Sequence, residues 1–151
     1  MTDSKSIPIL VSACLCGRAC RYDGRDAAAG PELAQRMAEL GGHAVPFCPE
    51  EEGGLGTPRA PAWIESKGAT AVLKGEDRLV TGAGRDVTEE FVAGAKAALA
   101  ACQSAGIRHA ILKERSPSCG VARTHVGGSL TSGPGVTAAL LAQNGIETEG
   151  I

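Results

Sequence analysis

Three cysteines, Cys14, Cys16 and Cys20, fall within seven positions of the stretch VSACLCGRACRYDG, and Cys48, Cys102 and Cys119 complete a set of six. A thiolate is both a strong nucleophile and a soft metal ligand, so such residues can do chemistry that few others can. The crowding at 14–20 is open to three readings: a local metal knot, a redox relay, or one working thiol with two bystanders. The polar MTDSKS start is followed only by the short apolar run IPILV. That run is too brief for a signal-peptide core or a membrane span, so a cytoplasmic protein is expected. Thiols there stay reduced, which favours metal binding or catalysis over disulfides.

Other reactive groups stand close to these cysteines in the chain. Glu50, Glu51 and Glu52 follow Cys48, and a carboxylate beside a reaction centre can carry a proton. Ser116 and Ser118 flank Pro117 just before Cys119 and could orient water or a ring edge. Ser12 precedes Cys14, and Arg21, Tyr22 and Asp23 follow Cys20. Arg59, Lys113 and Arg115 could hold an anion, as could the helix start in SGPGVT (132–137). Each has a plainer role open to it: solvated loop acid, turn-forming serine, or surface cation. His43, His109 and His125 have no ligand spacing and are assigned no role.

The elements that must position these groups are set by the apolar pattern. The chain has 151 residues, 43% of them hydrophobic but only 3% aromatic, so its core is aliphatic. With a formal charge of −2 and no long basic run, a nucleic-acid polymer is not expected as partner. Strands are expected over 7–14, 43–48 and 107–114, with a weaker one in IETEGI. Helices are expected within 25–42, over 86–106 from a capping Asp86, and over 136–145. Residues 69–84 read as two short strands around a polar turn, and 49–63 and 115–135 as long loops. The alternation predicts an α/β fold: one Rossmann-like domain over 1–151 with a largely parallel sheet flanked by helices. In such a sheet, ligands bind beyond the carboxyl ends of the strands. Cys14 and Cys48 stand at the carboxyl ends of predicted strands and Cys119 follows one after a short loop, Cys16 and Cys20 are expected further out in the loop, and Cys102 lies on the apolar face of a helix. A closed structural zinc site takes four protein ligands. Three thiolates suit an iron–sulfur cube with one iron left open, unless they are merely small residues at strand ends.

The segments VSACLCGRACRYDG, PFCPEEEGGLGTPRAP, GRDVTEEFVAGA, AILKERSPSCG and GPGVTAALL occur in this order from residue 11 to 141. As an ordered set they resemble the thiouracil desulfidase family, formerly a domain of unknown function. The resemblance implies a 4Fe–4S cluster on Cys14, Cys48 and Cys119, with one iron open to a substrate sulfur. It implies hydrolytic, non-redox release of sulfide from a small thiolated pyrimidine, such as 4-thiouracil or 4-thio-UMP. Glu50 in C-P-E and Ser116 in S-P-S-C-G are the implied catalytic pair. Ser12, Arg21, Tyr22, Asp23, Arg59, Lys113 and Ser118 are the expected substrate-binding residues. The family usually has an apolar residue at position 16, requires no cysteine at position 20, and often has a glutamate near Trp63. Cys16 and Cys20 are therefore expected outside the cluster's ligand set. The rival expectation is a zinc- or cluster-binding sulfur carrier or sensor without turnover.

Overall fold

The computed structural model describes residues 6–151. Strands β1 (Ile7–Ser12), β2 (Gly42–Phe47), β5 (His109–Leu112) and β8 (Glu147–Gly150) form one parallel sheet in the order β2-β1-β5-β8. Pro46 has no N–H to give to a central ladder, and β2 is accordingly an edge strand. Successive side chains of β1 point to opposite faces, and both faces are covered, which is why its sequence is an unbroken apolar run. Ile9 and Val11 pack with Leu33 and Met37 of α1 (Gly30–Leu40). Leu10 packs on the other face with Ala98 and Cys102 of α4 (Thr88–Ala105) and with Leu141 of α5 (Val136–Gln143). The expected α/β fold with a parallel sheet between helices is present.

A second sheet was not apparent in the sequence. It consists of β3 (Ala62–Ile64), β4 (Leu79–Thr81), β6 (Arg123–Val126) and β7 (Ser129–Ser132), in the mixed order β4-β3-β6-β7. The expected loop over 115–135 therefore contains the hairpin β6–β7, and the loop over 49–63 contains the short α2 (Pro49–Glu52) and the start of β3. The two strands expected over 69–84 are one helix, α3 (Ala69–Leu73), and one strand, β4. Ala69 and Val72 sit on one side of α3, spaced for a helical turn, and both are buried beside Phe91 and Val136. Asp86 accepts a hydrogen bond from the Thr88 N–H at 2.9 Å, but the N-cap of α4 is Val87, so Asp86 closes a local turn one residue before the cap instead of capping the helix itself.

The short α2 carries Glu50, and its placement depends on two glycines. A Cβ at Gly94 of α4 would overlap the Pro49 carbonyl oxygen, and one at Gly53 would overlap the Glu90 carbonyl oxygen. The two backbones thus approach as closely as they do only because neither position has a side chain.

Candidate active site

Ser12 is paired with Phe47 in the parallel register, so β1 and β2 end side by side. Cys14 and Cys48 leave these neighbouring ends. Cys14 lies in a 3-10 turn over Ala13–Cys16, and Cys48 caps α2. Cys119 reaches the same edge through the turn after β5. All three are buried and free, and all three line one cavity of about 600 Å³. Their mutual proximity shows in their acidity. Burial pushes the Cys14 thiol up to about 11, and Cys48 adds to this, while Lys113 and Arg21 oppose it. Burial pushes Cys119 up to about 12 against a hydrogen bond from Ser12, with Glu50, Cys14 and Cys48 adding to the rise. Thiols so shifted are protonated at neutral pH, and a metal that binds them must displace their protons.

The donor set suits an iron–sulfur cube. Three thiols from three separate segments converge with room beside them, and no closed four-ligand arrangement is needed. Among the described residues, however, the three metal-ligating side chains that come within 4.8 Å of one another are Cys20, Cys48 and Glu51. This corrects the placement of Cys20, which does not lie out in the loop. Gly17 turns the chain back in a left-handed conformation (φ 96°). The Cys20 carbonyl then accepts a bond from Arg59 Nη2 at 3.0 Å. The result is a cysteine only 2% exposed that lines the cavity. Burial and the neighbouring Cys48 push its thiol well above the ordinary range. Cys16 is exposed, and Cys102 is buried on α4 away from the cavity.

Glu50 is held at both oxygens. Arg59 Nε donates to Oε1 at 3.0 Å, and the Ser116 hydroxyl donates to Oε2 at 3.3 Å. Ser116 Oγ in turn accepts the N–H groups of Ser118 and Cys119 at 3.1 and 3.0 Å, so one side chain shapes the Cys119 turn and orients Glu50. Ser12 Oγ accepts the Lys113 N–H at 2.9 Å, joining the ends of β1 and β5 behind the cysteines. Arg21, Tyr22 and Lys113 line the cavity, as does Arg115, the one non-glycine residue with positive φ (72°) among the described residues.

Three expected substrate contacts are engaged by other groups of the protein. Asp23 does not line the cavity; its carboxylate accepts the Arg25 N–H at 3.0 Å and closes its own loop. Ser118 is fully buried behind the cavity wall, its hydroxyl 2.7 Å from that of Thr137. Arg59 lines the cavity, but its donors are taken by Glu50, the Gly56 carbonyl, the Thr57 hydroxyl and the Cys20 carbonyl. It fastens the Cys20 loop to Glu50 and is not a free cation. Sequence reasoning also missed Glu114. Its carboxylate accepts the N–H groups of Val121 and Ala122 and so ties down the return of the Cys119 loop. An acid at a strand end before a long loop was the only signal for it. Phe47 and Trp63 give the cavity apolar, aromatic walls, and His125 completes one side.

The family described as 2-thiouracil desulfurase matches residues 9–149. The chain is 44% identical over 140 residues to the uncharacterised protein YbbK of Bacillus subtilis (strain 168), covering 91% of each. It is also similar to the solved structure of a 4Fe–4S-dependent thiouracil desulfidase, TudS. That likeness has a TM-score of 0.81 at 42% identity and covers 96% of this chain and 91% of the other.

Proposed function

Because the chain belongs to the 2-thiouracil desulfurase family, we propose that it hydrolyses the carbon–sulfur bond of a thiolated uracil without net redox chemistry. The substrate is 4-thiouracil or a nucleotide of it such as 4-thio-UMP. The thiocarbonyl becomes a carbonyl, one water is consumed, and sulfur departs as sulfide. The observation that carries this reading is the convergence of Cys14, Cys48 and Cys119 on one cavity with Glu50 at its edge.

In this reading Cys14, Cys48 and Cys119 hold a 4Fe–4S cluster. When bound, the cluster supplies a soft Lewis-acidic iron that polarises the thiocarbonyl. The remaining chemistry belongs to side chains. Phe47 and Trp63 offer aromatic faces against which a pyrimidine ring can lie. Glu50 takes a proton from the attacking water and returns it to the departing sulfur. Arg59 and Ser116 hold its two oxygens, so the carboxylate cannot rotate away from the cavity. Arg21, Lys113 and Arg115 line the cavity and supply the positive charge that a substrate phosphate would need, which supports the nucleotide form.

The test is anaerobic reconstitution with iron and sulfide, followed by assay on 2-thiouracil, 4-thiouracil and 4-thio-UMP. Stoichiometric sulfide and the uracil product are expected from a 4-thio substrate. Failure of the cluster-loaded protein to release sulfide from any of the three overturns the reading in favour of a carrier or sensor.

A further inference from the structure

The cavity holds four buried cysteines, and the cluster reading uses three of them. We propose that Cys20, Cys48 and Glu51 form a second metal site, for a single soft divalent cation such as zinc. The unloaded protein fills this site, and filling it excludes the cluster because both need Cys48. The exclusion rests on the cluster assignment above; the zinc site itself does not.

Spacing separates the two sites. Two thiolates on one zinc stand at most about 4.6 Å apart, since each Zn–S bond is about 2.3 Å. The ligand atoms of Cys20, Cys48 and Glu51 all lie within 4.8 Å of one another, so a slight side-chain rotation closes them on one ion. A four-iron cube puts each thiolate on a different iron and needs a wider set, such as Cys14, Cys48 and Cys119. The ligand types also suit zinc, two sulfurs and a carboxylate oxygen, with the fourth position open to the cavity for water.

The surroundings hold this set in place. Arg18 Nη2 donates to Glu51 Oε1 at 2.7 Å, and the Thr57 hydroxyl donates to Oε2. Arg59 fixes the Cys20 backbone. Such outer contacts orient ligands and strengthen metal binding. Two thiol protons leave to solvent as the ion binds. The resulting ligand charge of three negatives against two positives is offset by the Arg18 guanidinium.

The experiment is a zinc titration of the full-length, cluster-free protein against a chromogenic zinc indicator, with cobalt as a spectroscopic substitute. Wild type, Cys20→Ala, Cys20→Ser and Cys119→Ala are compared, and each is then reconstituted with iron and sulfide. Wild type is expected to bind one zinc per chain, with thiolate-to-cobalt absorption, and zinc preloading is expected to block cluster formation. Both Cys20 variants should lose zinc affinity by more than the ~10–100-fold typical of losing a supporting residue, yet still assemble the cluster under zinc. Cys119→Ala should keep zinc and form no cluster. Unchanged zinc affinity in the Cys20 variants, or its loss in Cys119→Ala, overturns the proposal. A Cys119→Ala protein that keeps zinc and also builds the cluster refutes Cys119 as a cluster ligand but leaves the zinc site standing, whereas a cluster that forms on zinc-loaded wild type refutes the exclusion.

Discussion

Glu50 Oε2 and Ser116 Oγ lie 3.3 Å apart although 66 residues separate them in the chain. Glu50 arrives on α2 from the end of β2, and Ser116 on the turn after β5, so the contact exists only because the parallel sheet brings these ends to one edge. The hydroxyl proton is directed at the carboxylate, since Ser116 Oγ already accepts two backbone N–H groups.

Glu50→Gln should therefore keep the cluster and lower sulfide release by about 10²–10⁴-fold, the usual loss when a proton-transfer group is removed. Ser116→Ala should also lower turnover, and its effect should shrink when added to Glu50→Gln, because the two act as a unit. Iron content, visible absorption and sulfide release of the two single variants and the double variant check this. Full additivity would show that Ser116 acts independently of Glu50.

Arg59 uses four of its five N–H donors on the Glu50 carboxylate, the Gly56 and Cys20 carbonyls and the Thr57 hydroxyl. A lysine cannot span these partners with one ammonium group. Arg59→Lys is expected to lower kcat by about tenfold or more on both free base and nucleotide, with KM little changed. A residue that gripped the substrate phosphate would instead raise KM for the nucleotide alone. Steady-state kinetics on the two substrates separate these outcomes.

Gly94 lets α4 touch α2, where a Cβ would overlap the Pro49 carbonyl oxygen. Gly94→Ala should destabilise the fold by about 1–3 kcal/mol, as overpacking does. It should also cost activity beyond the loss of folded protein, because α2 carries Glu50. Thermal unfolding and activity per folded molecule measure the two effects. An alanine variant with wild-type Tm and turnover would mean that α2 can shift without consequence.

The strand ends were legible in the sequence because the apolar runs of β1, β2 and β5 are clear and a parallel sheet gathers the residues just beyond their carboxyl ends. Cys14, Cys48 and Cys119 come to one edge for that reason. Cys20 was not legible: its position depends on a left-handed turn at Gly17 and on Arg59, which lies 39 residues away. Ser118 and Ser116 look alike in S-P-S, yet the turn sends one hydroxyl to Thr137 in the interior and the other to Glu50. The second sheet was hidden because its strands have only three or four residues and β7, SLTS, is exposed along its whole length. Period-two patterning has nothing to register in such strands.

Away from the cavity, Arg36 of α1 grips Glu149 of β8 with two bonds, Nε to Oε1 at 2.6 Å and Nη2 to Oε2 at 2.9 Å. The His109 ring adds a contact to Oε2 at 2.5 Å. Arg36 first, and His109 after it, hold the Glu149 carboxyl below its ordinary value of 4.5 against a smaller opposing effect of burial. A carboxyl with a depressed folded-state pKa contributes stability above its unfolded value, and that contribution is lost as pH falls through the folded one. The wild type should therefore lose stability on acidification from about pH 4.5 downward more steeply than Glu149→Gln, which has no carboxyl to protonate there. At neutral pH the variant should be only slightly less stable, by up to about 1 kcal/mol, since the pair is partly exposed to solvent. Urea unfolding of both proteins between pH 3 and pH 7 tests this, and parallel stability curves across that range would remove Glu149 from the acid response.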